Sequence, residues 1–176
     1  MKICPLILRL FVSYLAPAQT ALSTAYRHLK ANETHRAKAV LNEYLESNPN
    51  DLKGISLLGD IAVFENKYDA ALSHYKLLLA SNAESADYNF KYGGALGLKA
   101  LNVSKFQAMV YVPEIKKHLE KAANLDANHI KSRRALVELY LQLPGIFGGS
   151  TTKARQYAEE LKKISPRDGL ISQGFI

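Results

Sequence analysis

Apolar residues recur every three and four positions along most of this chain, and short polar clusters interrupt them at regular intervals. That period marks amphipathic helices, whose buried stripe follows the 3.6-residue turn. Over residues 52–86 the pattern predicts a helix, a short turn and a second helix. Ala71, Tyr75 and Leu78 fall on one face of that second helix, at intervals of four and three. Gly59 and Ala71 lack bulk, so two antiparallel helices can approach closely there. The same triplet stands 34 residues earlier as Ala37, Leu41 and Tyr44, and Tyr92-Gly93 stands 34 residues after Leu58-Gly59. Ala154, Ala158 and Leu161 repeat the spacing near the end. A recurring period of this length predicts an array of helical hairpins.

The period divides the chain into units. The first, over 19–51, predicts a helix through LSTAYRHLK. Asn32-Glu33-Thr34 supplies a break and an N-cap, and Asn48-Pro49-Asn50-Asp51 ends the second helix. The second unit covers 52–85. The third, over 86–129, closes with EIKKHLEKAANLDAN but carries about ten residues beyond the period, within 101–112. Val103, Phe106, Met109, Val110 and Tyr111 recur there by threes and fours, which predicts an added helical turn. Phe106, Met109 and Tyr111 either bury themselves locally or form an exposed lip for a partner or for dimerisation. The fourth unit, over 130–166, breaks at Pro144-Gly145 and resumes at Ser150-Thr151-Thr152. Residues 167–176 predict a short cap over the last hairpin, which has no neighbour of its own.

These residues resemble the tetratricopeptide repeat family. Its pattern is matched by Leu58-Gly59, by Tyr68 ahead of the second helix, and by Ala71, Tyr75 and Leu78 within it. Thr24-Ala25 replaces the Leu-Gly pair in the first unit. The chain also resembles small exported bacterial repeat proteins, in its LPGIFGGST loop. The resemblance implies an all-α fold, a right-handed α-solenoid of about four helix-turn-helix hairpins. It implies that first helices line a concave groove holding Tyr26, Leu29, Lys53, Asp60, Phe64, Asp87, Phe90, Lys131, Arg134 and Glu138. Aromatic anchors beside an Arg suit peptide binding; the alternative is an ordinary solvated or internally packed face. A subfamily that grips chaperone carboxylates needs Lys and Asn where this chain has Leu22 and Tyr26, and Asn where it has Leu57. That clamp is absent.

Composition changes this picture little. The chain has 176 residues and a net charge of +7, spread along its length, which does not argue for nucleic-acid binding. The N-terminus matters more. Lys2 and Arg9 bracket a basic start, Leu10 to Ala16 is a short apolar run, and Ala16-Pro17-Ala18 suits signal peptidase. We expect residues 1–18 to be a signal peptide and the mature domain, 19–176, to be periplasmic or secreted. Alternatives are a retained hydrophobic helix and a cytoplasmic protein. The run is too short for a stable membrane span. Cleavage would remove two cations and no acid, taking +7 to +5, together with the single Cys, Cys4. No disulfide, Cys-type zinc site or thiol chemistry would remain.

Catalytic patterns are missing. His28, His35, His74, His118 and His129 form no HExxH pair, and no serine sits in a G-x-S-x-G turn. His28 and His35 are separated by the turn at Asn32, so solvated helix-end histidines are expected over a metal pair. Gly148-Gly149-Ser150 could offer N–H groups to an anion, but it lacks a nucleotide-loop ending and is expected to be a plain N-cap. The sequence therefore predicts a non-enzymatic protein- or peptide-binding scaffold without cofactor or metal. Alternatives are a solute-binding accessory using the groove and 101–112, a homo-oligomerising module such as a homodimer, and an enzyme with an unrecognised site.

Overall fold

A computed structural model describes residues 20–176; the signal-like segment 1–18 lies outside the described residues. Among these there are helices and no strand. They fall into two compact units that part inside one helix, between His74 and Tyr75.

The first unit contains α1 (20–30), α2 (Thr34–Ser47) and α3 (Leu52–Phe64), and the start of α4 (Tyr68–Ser81). Its core joins Ala25 of α1, Ala37 and Leu41 of α2, and Leu57 and Ile61 of α3, with Leu22, Leu29, Val40 and Leu58 packed against them. The repeated triplet is thus a core device, and Tyr44 is its half-buried end. The Tyr44 hydroxyl donates to Asp51 Oδ2 at 2.9 Å, while Asp51 Oδ1 caps α3 by accepting the Lys53 N–H at 3.2 Å. The turn before α2 departs from expectation. Asn32 takes a left-handed φ of 61°, and Glu33 holds the cap position without a side-chain cap bond. Its carboxylate goes instead to the His28 ring at 2.5 Å and the Arg36 guanidinium at 2.9 Å, the latter a charge-assisted bond stronger than one to a lone backbone N–H. In α4, Ala71, Tyr75 and Leu78 are all buried.

The second unit continues with α5 (Ala86–Leu101), α6 (Lys105–Leu125), α7 (Ile130–Gln142), a 3-10 turn (Gly145–Phe147), α8 (Thr151–Ile164) and α9 (Pro166–Gln173). Neighbouring helices pack pairwise, α5 on α6, α7 on α8 and α8 on α9. Gly93 lets α5 approach α6: a Cβ there would lie 3.1 Å from His118 Cβ. The extra residues lengthen both members of this pair. α5 runs to Leu101, and α6 opens at a Ser104–Gln107 capping box and continues through Pro113. Burial along α6 begins only at Val112, followed by Ile115, Leu119 and Ala122, which restore the four-plus-three spacing. Ala154, Ala158 and Leu161 are all 0% exposed. Residues 166–173 form α9, whose Gly169 lies so close to α8 that a Cβ would sit 2.4 Å from Lys162 Cα.

Candidate functional site

The second unit carries one half of the predicted binding face, on α5 and α7. Ser85 caps α5 by accepting the Tyr88 N–H at 3.3 Å, which sets Asp87 in the first turn and Phe90 one turn on. His129 caps α7: its Nδ1 accepts the Ser132 N–H at 3.1 Å. With Nδ1 an acceptor, the ring proton belongs on Nε2, which donates to Asp87 Oδ1 at 3.3 Å. The Phe90 ring lies 5.4 Å from the His129 ring, tilted by 55°. Asp87 and Phe90 therefore converge on a histidine that the repeat pattern did not single out. Lys131, Arg134 and Glu138 are exposed along α7, and Arg134 reaches Asp168 of α9 at 3.5 Å.

The first unit carries the other named residues. Tyr26 is 53% exposed, with Lys30 Nζ 5.4 Å from its ring centre, and Phe64 is 52% exposed at the end of α3. Lys53 is exposed and Asp60 half-buried. Leu29 is half-buried against the α1–α2–α3 core, so much of its surface is spent on packing. At the α5–α6 turn, Phe106 is 87% exposed, while Met109 and Tyr111 are half-buried and Lys99 lies over the Tyr111 ring.

Three buried polar groups were not picked out from the sequence. Asn89 donates from Nδ2 to the Ala83 and Ser85 carbonyls, both at 2.8 Å, so its Oδ1 is an acceptor and takes the His118 Nδ1–H at 2.8 Å. The other nitrogen of His118 lies 3.1 Å from Glu114 Oε1, and Tyr92 packs edge-on at 4.7 Å. Burial holds the His118 pKa low, against the upward pull of Glu114. Arg133, 7% exposed, bonds the end of α6 and Glu160 of α8. Each of these lies in register with the core stripe of its helix, Asn89 with Gly93 and Arg133 with Val137 and Tyr140. A polar residue in apolar register was the available signal. Around Tyr140, the hydroxyl donates to Glu120 and accepts from Lys153 Nζ at 3.2 Å, and Lys116 lies 4.9 Å from the ring centre. Burial, with the Glu120 hydrogen bond second, raises the Tyr140 pKa well above the ordinary phenol value.

The remaining candidates form no shared site. His28 faces Glu33, and His35 is exposed. Among the described residues no group of three His, Cys, Asp or Glu could hold a metal. Ser150 caps α8 by accepting the Lys153 N–H at 3.2 Å, and Lys116 Nζ donates to the Gly148 carbonyl at 3.1 Å. Gly148 is left-handed at φ 82°, and a Cβ on Gly149 would strike the Leu143 carbonyl at 1.8 Å, so the two glycines are required by the turn itself.

Solved structures share this fold. A thermophilic tetratricopeptide-repeat protein of Thermus thermophilus superposes with a TM-score of 0.73 at 14% identity, over 90% of this chain and 84% of that one. The fold is that of the tetratricopeptide repeats. MamA from Desulfovibrio magneticus RS-1 superposes at 0.63 and 15% identity, over 85% of this chain and 76% of its own. An O-GlcNAc transferase from Thermobaculum terrenum matches at 0.68 and 16%, over 85% of this chain and 26% of the enzyme. No family model matches the sequence, and no curated protein matches it. The likeness to tetratricopeptide-repeat structures thus rests on backbone geometry and on the residues that space the helices.

Proposed function

We propose that the chain is a non-catalytic scaffold that binds a protein or peptide on the first helices of its repeats. The observation that supports this is on α5 and α7, where exposed Asp87 meets the Phe90–His129 pair and Lys131, Arg134 and Glu138 stand exposed further along α7. An aromatic beside charges of both signs offers a peptide one apolar anchor and several orienting contacts. Tyr26 and Phe64 are outward aromatics on the first unit and belong to the same reading. Units at 19–51, 52–85, 86–129 and 130–166 are the repeats it assumes.

Selection of displayed random peptides on the immobilised protein tests the face. Enriched peptides should bind a Lys131→Glu/Arg134→Glu variant at least about tenfold more weakly. Both residues are exposed and Arg134 gives up only a surface ion pair with Asp168, so the thermal midpoint should fall little. Peptides that bind parent and variant equally would overturn this placement. The setting we infer is periplasmic or secreted, on the strength of Lys2, Arg9 and Ala16-Pro17-Ala18. Protein from the native host should begin at Gln19; a cytosolic chain beginning at Met1 would refute export.

A further inference from the structure

His129 stands where α5 meets the start of α7, and its ring has a task on each side. Nδ1 caps α7 by accepting the Ser132 N–H at 3.1 Å, and Nε2–H donates to Asp87 Oδ1 of α5 at 3.3 Å. Histidine is an unusual cap. Ser, Thr and Asn offer an oxygen acceptor at any pH, whereas the Nδ1 lone pair exists only while the ring is neutral.

The surroundings turn this dependence into a structural one. Ser132 is 0% exposed and His129 9% exposed. Once Nδ1 carries a proton, two donors face each other and the buried Ser132 N–H has no acceptor. A buried N–H without a partner costs far more than the bond it had made, so the turn must open until water reaches it. Asp87 acts on the other side of the ring. Its carboxylate is a better partner for a charged ring than for a neutral one, so the tie to α5 survives protonation. The remaining charged groups around His129 meet its main chain. At the end of α6, the Asp126 carbonyl accepts the His129 N–H at 3.1 Å, and the Asp126 carboxylate accepts the Asn128 N–H at 2.8 Å. Within α7, Arg133 donates to the His129 carbonyl at 3.4 Å and to Glu160 of α8 at 3.0 Å, while Lys131 is exposed. Phe90 of α5 faces the ring with an uncharged one. The backbone of His129 thus stays seated on α6, and the change falls on the cap.

We propose that His129 is a proton-operated latch between α5 and α7. Neutral, it caps α7 and bridges to Asp87. Protonated, it keeps the bridge and releases the cap, so that the first turn of α7, which carries Lys131, opens in mild acid. The device belongs to the free chain and needs no ligand.

Nuclear magnetic resonance of the isotope-labelled full chain tests this between about pH 8 and pH 5. The His129 Cε1–H resonance reports the ring, and the Ser132 amide reports the cap. Protection of that amide, corrected for the pH dependence of exchange itself, should fall by about fivefold or more as the ring takes its proton, with the same midpoint. The Val137 amide, in the middle of α7, should keep its protection, which separates a local opening from unfolding. His129→Asn keeps a capping acceptor and cannot titrate, so its Ser132 amide should stay protected throughout. Asp87→Asn, at an exposed position, removes the charge behind the bridge, so loss of the cap should need a lower pH. The proposal is overturned if Ser132 stays protected while the ring titrates, or if the ring stays neutral down to about pH 5. Parent-like pH dependence in His129→Asn, or an unmoved midpoint in Asp87→Asn, would overturn it as well.

Discussion

Asn89 is 1% exposed, and its amide fixes the states of the groups around it. Both donors are used on backbone carbonyls and its oxygen on His118, so one side chain ties the loop before α5 to the middle of α6. Replacing it with leucine would fill the space but strip the Ala83 carbonyl and the buried His118 ring N–H of their partner, while the Ser85 carbonyl keeps the main-chain N–H of residue 89. Unpaired buried groups cost far more than the bond they once made was worth. Asn89→Leu should therefore destabilise the chain by about 2–4 kcal/mol in urea unfolding. A loss within experimental error would mean that water reaches these groups. The same reasoning explains why the residue escaped notice in the sequence. A lone Asn in a helix looks like a solvated one until its register with Gly93 is followed to the partner helix.

Among elements, what was legible was spacing. The four-plus-three triplets put Ala71, Tyr75, Leu78, Ala154, Ala158 and Leu161 in the core, because small and apolar residues at those intervals can only serve a close helix pair. The long α5–α6 hairpin was legible as extra periodicity within 101–112. Less legible was how hairpins are fastened to each other, which depends on side chains reaching across elements. Arg133 is the example. From α7 it donates to the Ala123 and Asp126 carbonyls at 3.0 Å, capping the last turn of α6, and to Glu160 of α8 at 3.0 Å. Its neighbour Arg134 is exposed, since adjacent helix positions face different directions. Arg133→Met keeps the stem and removes the donors, and should cost about 2–4 kcal/mol. Arg133→Lys should recover only part of this, because a single ammonium cannot span the three helices that a planar guanidinium reaches. Denaturant unfolding of the two variants checks both; full recovery by lysine would reduce the site to a plain ion pair.

Across the whole molecule, the proposed binding face was less legible than the fold for a physical reason. Core positions are fixed by a repeated local constraint, whereas a surface residue such as Lys131 or Glu138 obeys none. Leu29 and Phe90 show the difficulty: both carry anchor chemistry, and both give part of it to packing. Each unit also carries a histidine whose pKa burial lowers, His74 in the first and His118 in the second, and this has a consequence for pH. Burial, reinforced in part by the charge of Lys38, holds His74 below the ordinary histidine value of 6.5; burial does the same to His118. The unfolded chain then binds protons that the folded chain resists. The stability tied to each neutral ring is present above about pH 6.5 and is lost as pH falls through the folded value. Carboxylates such as Glu33 and Glu65, held low by hydrogen bonds from His28 and Lys67, lose their contribution only below the ordinary 4.5. Between about pH 7.5 and pH 5 the histidines should therefore dominate, and the thermal midpoint should decline. His74→Gln and His118→Gln should each flatten that decline, and the double variant more than either. A slope unchanged in the double variant would mean that both rings titrate alike in the folded and unfolded chains, and a steeper one that Glu114 outweighs burial at His118.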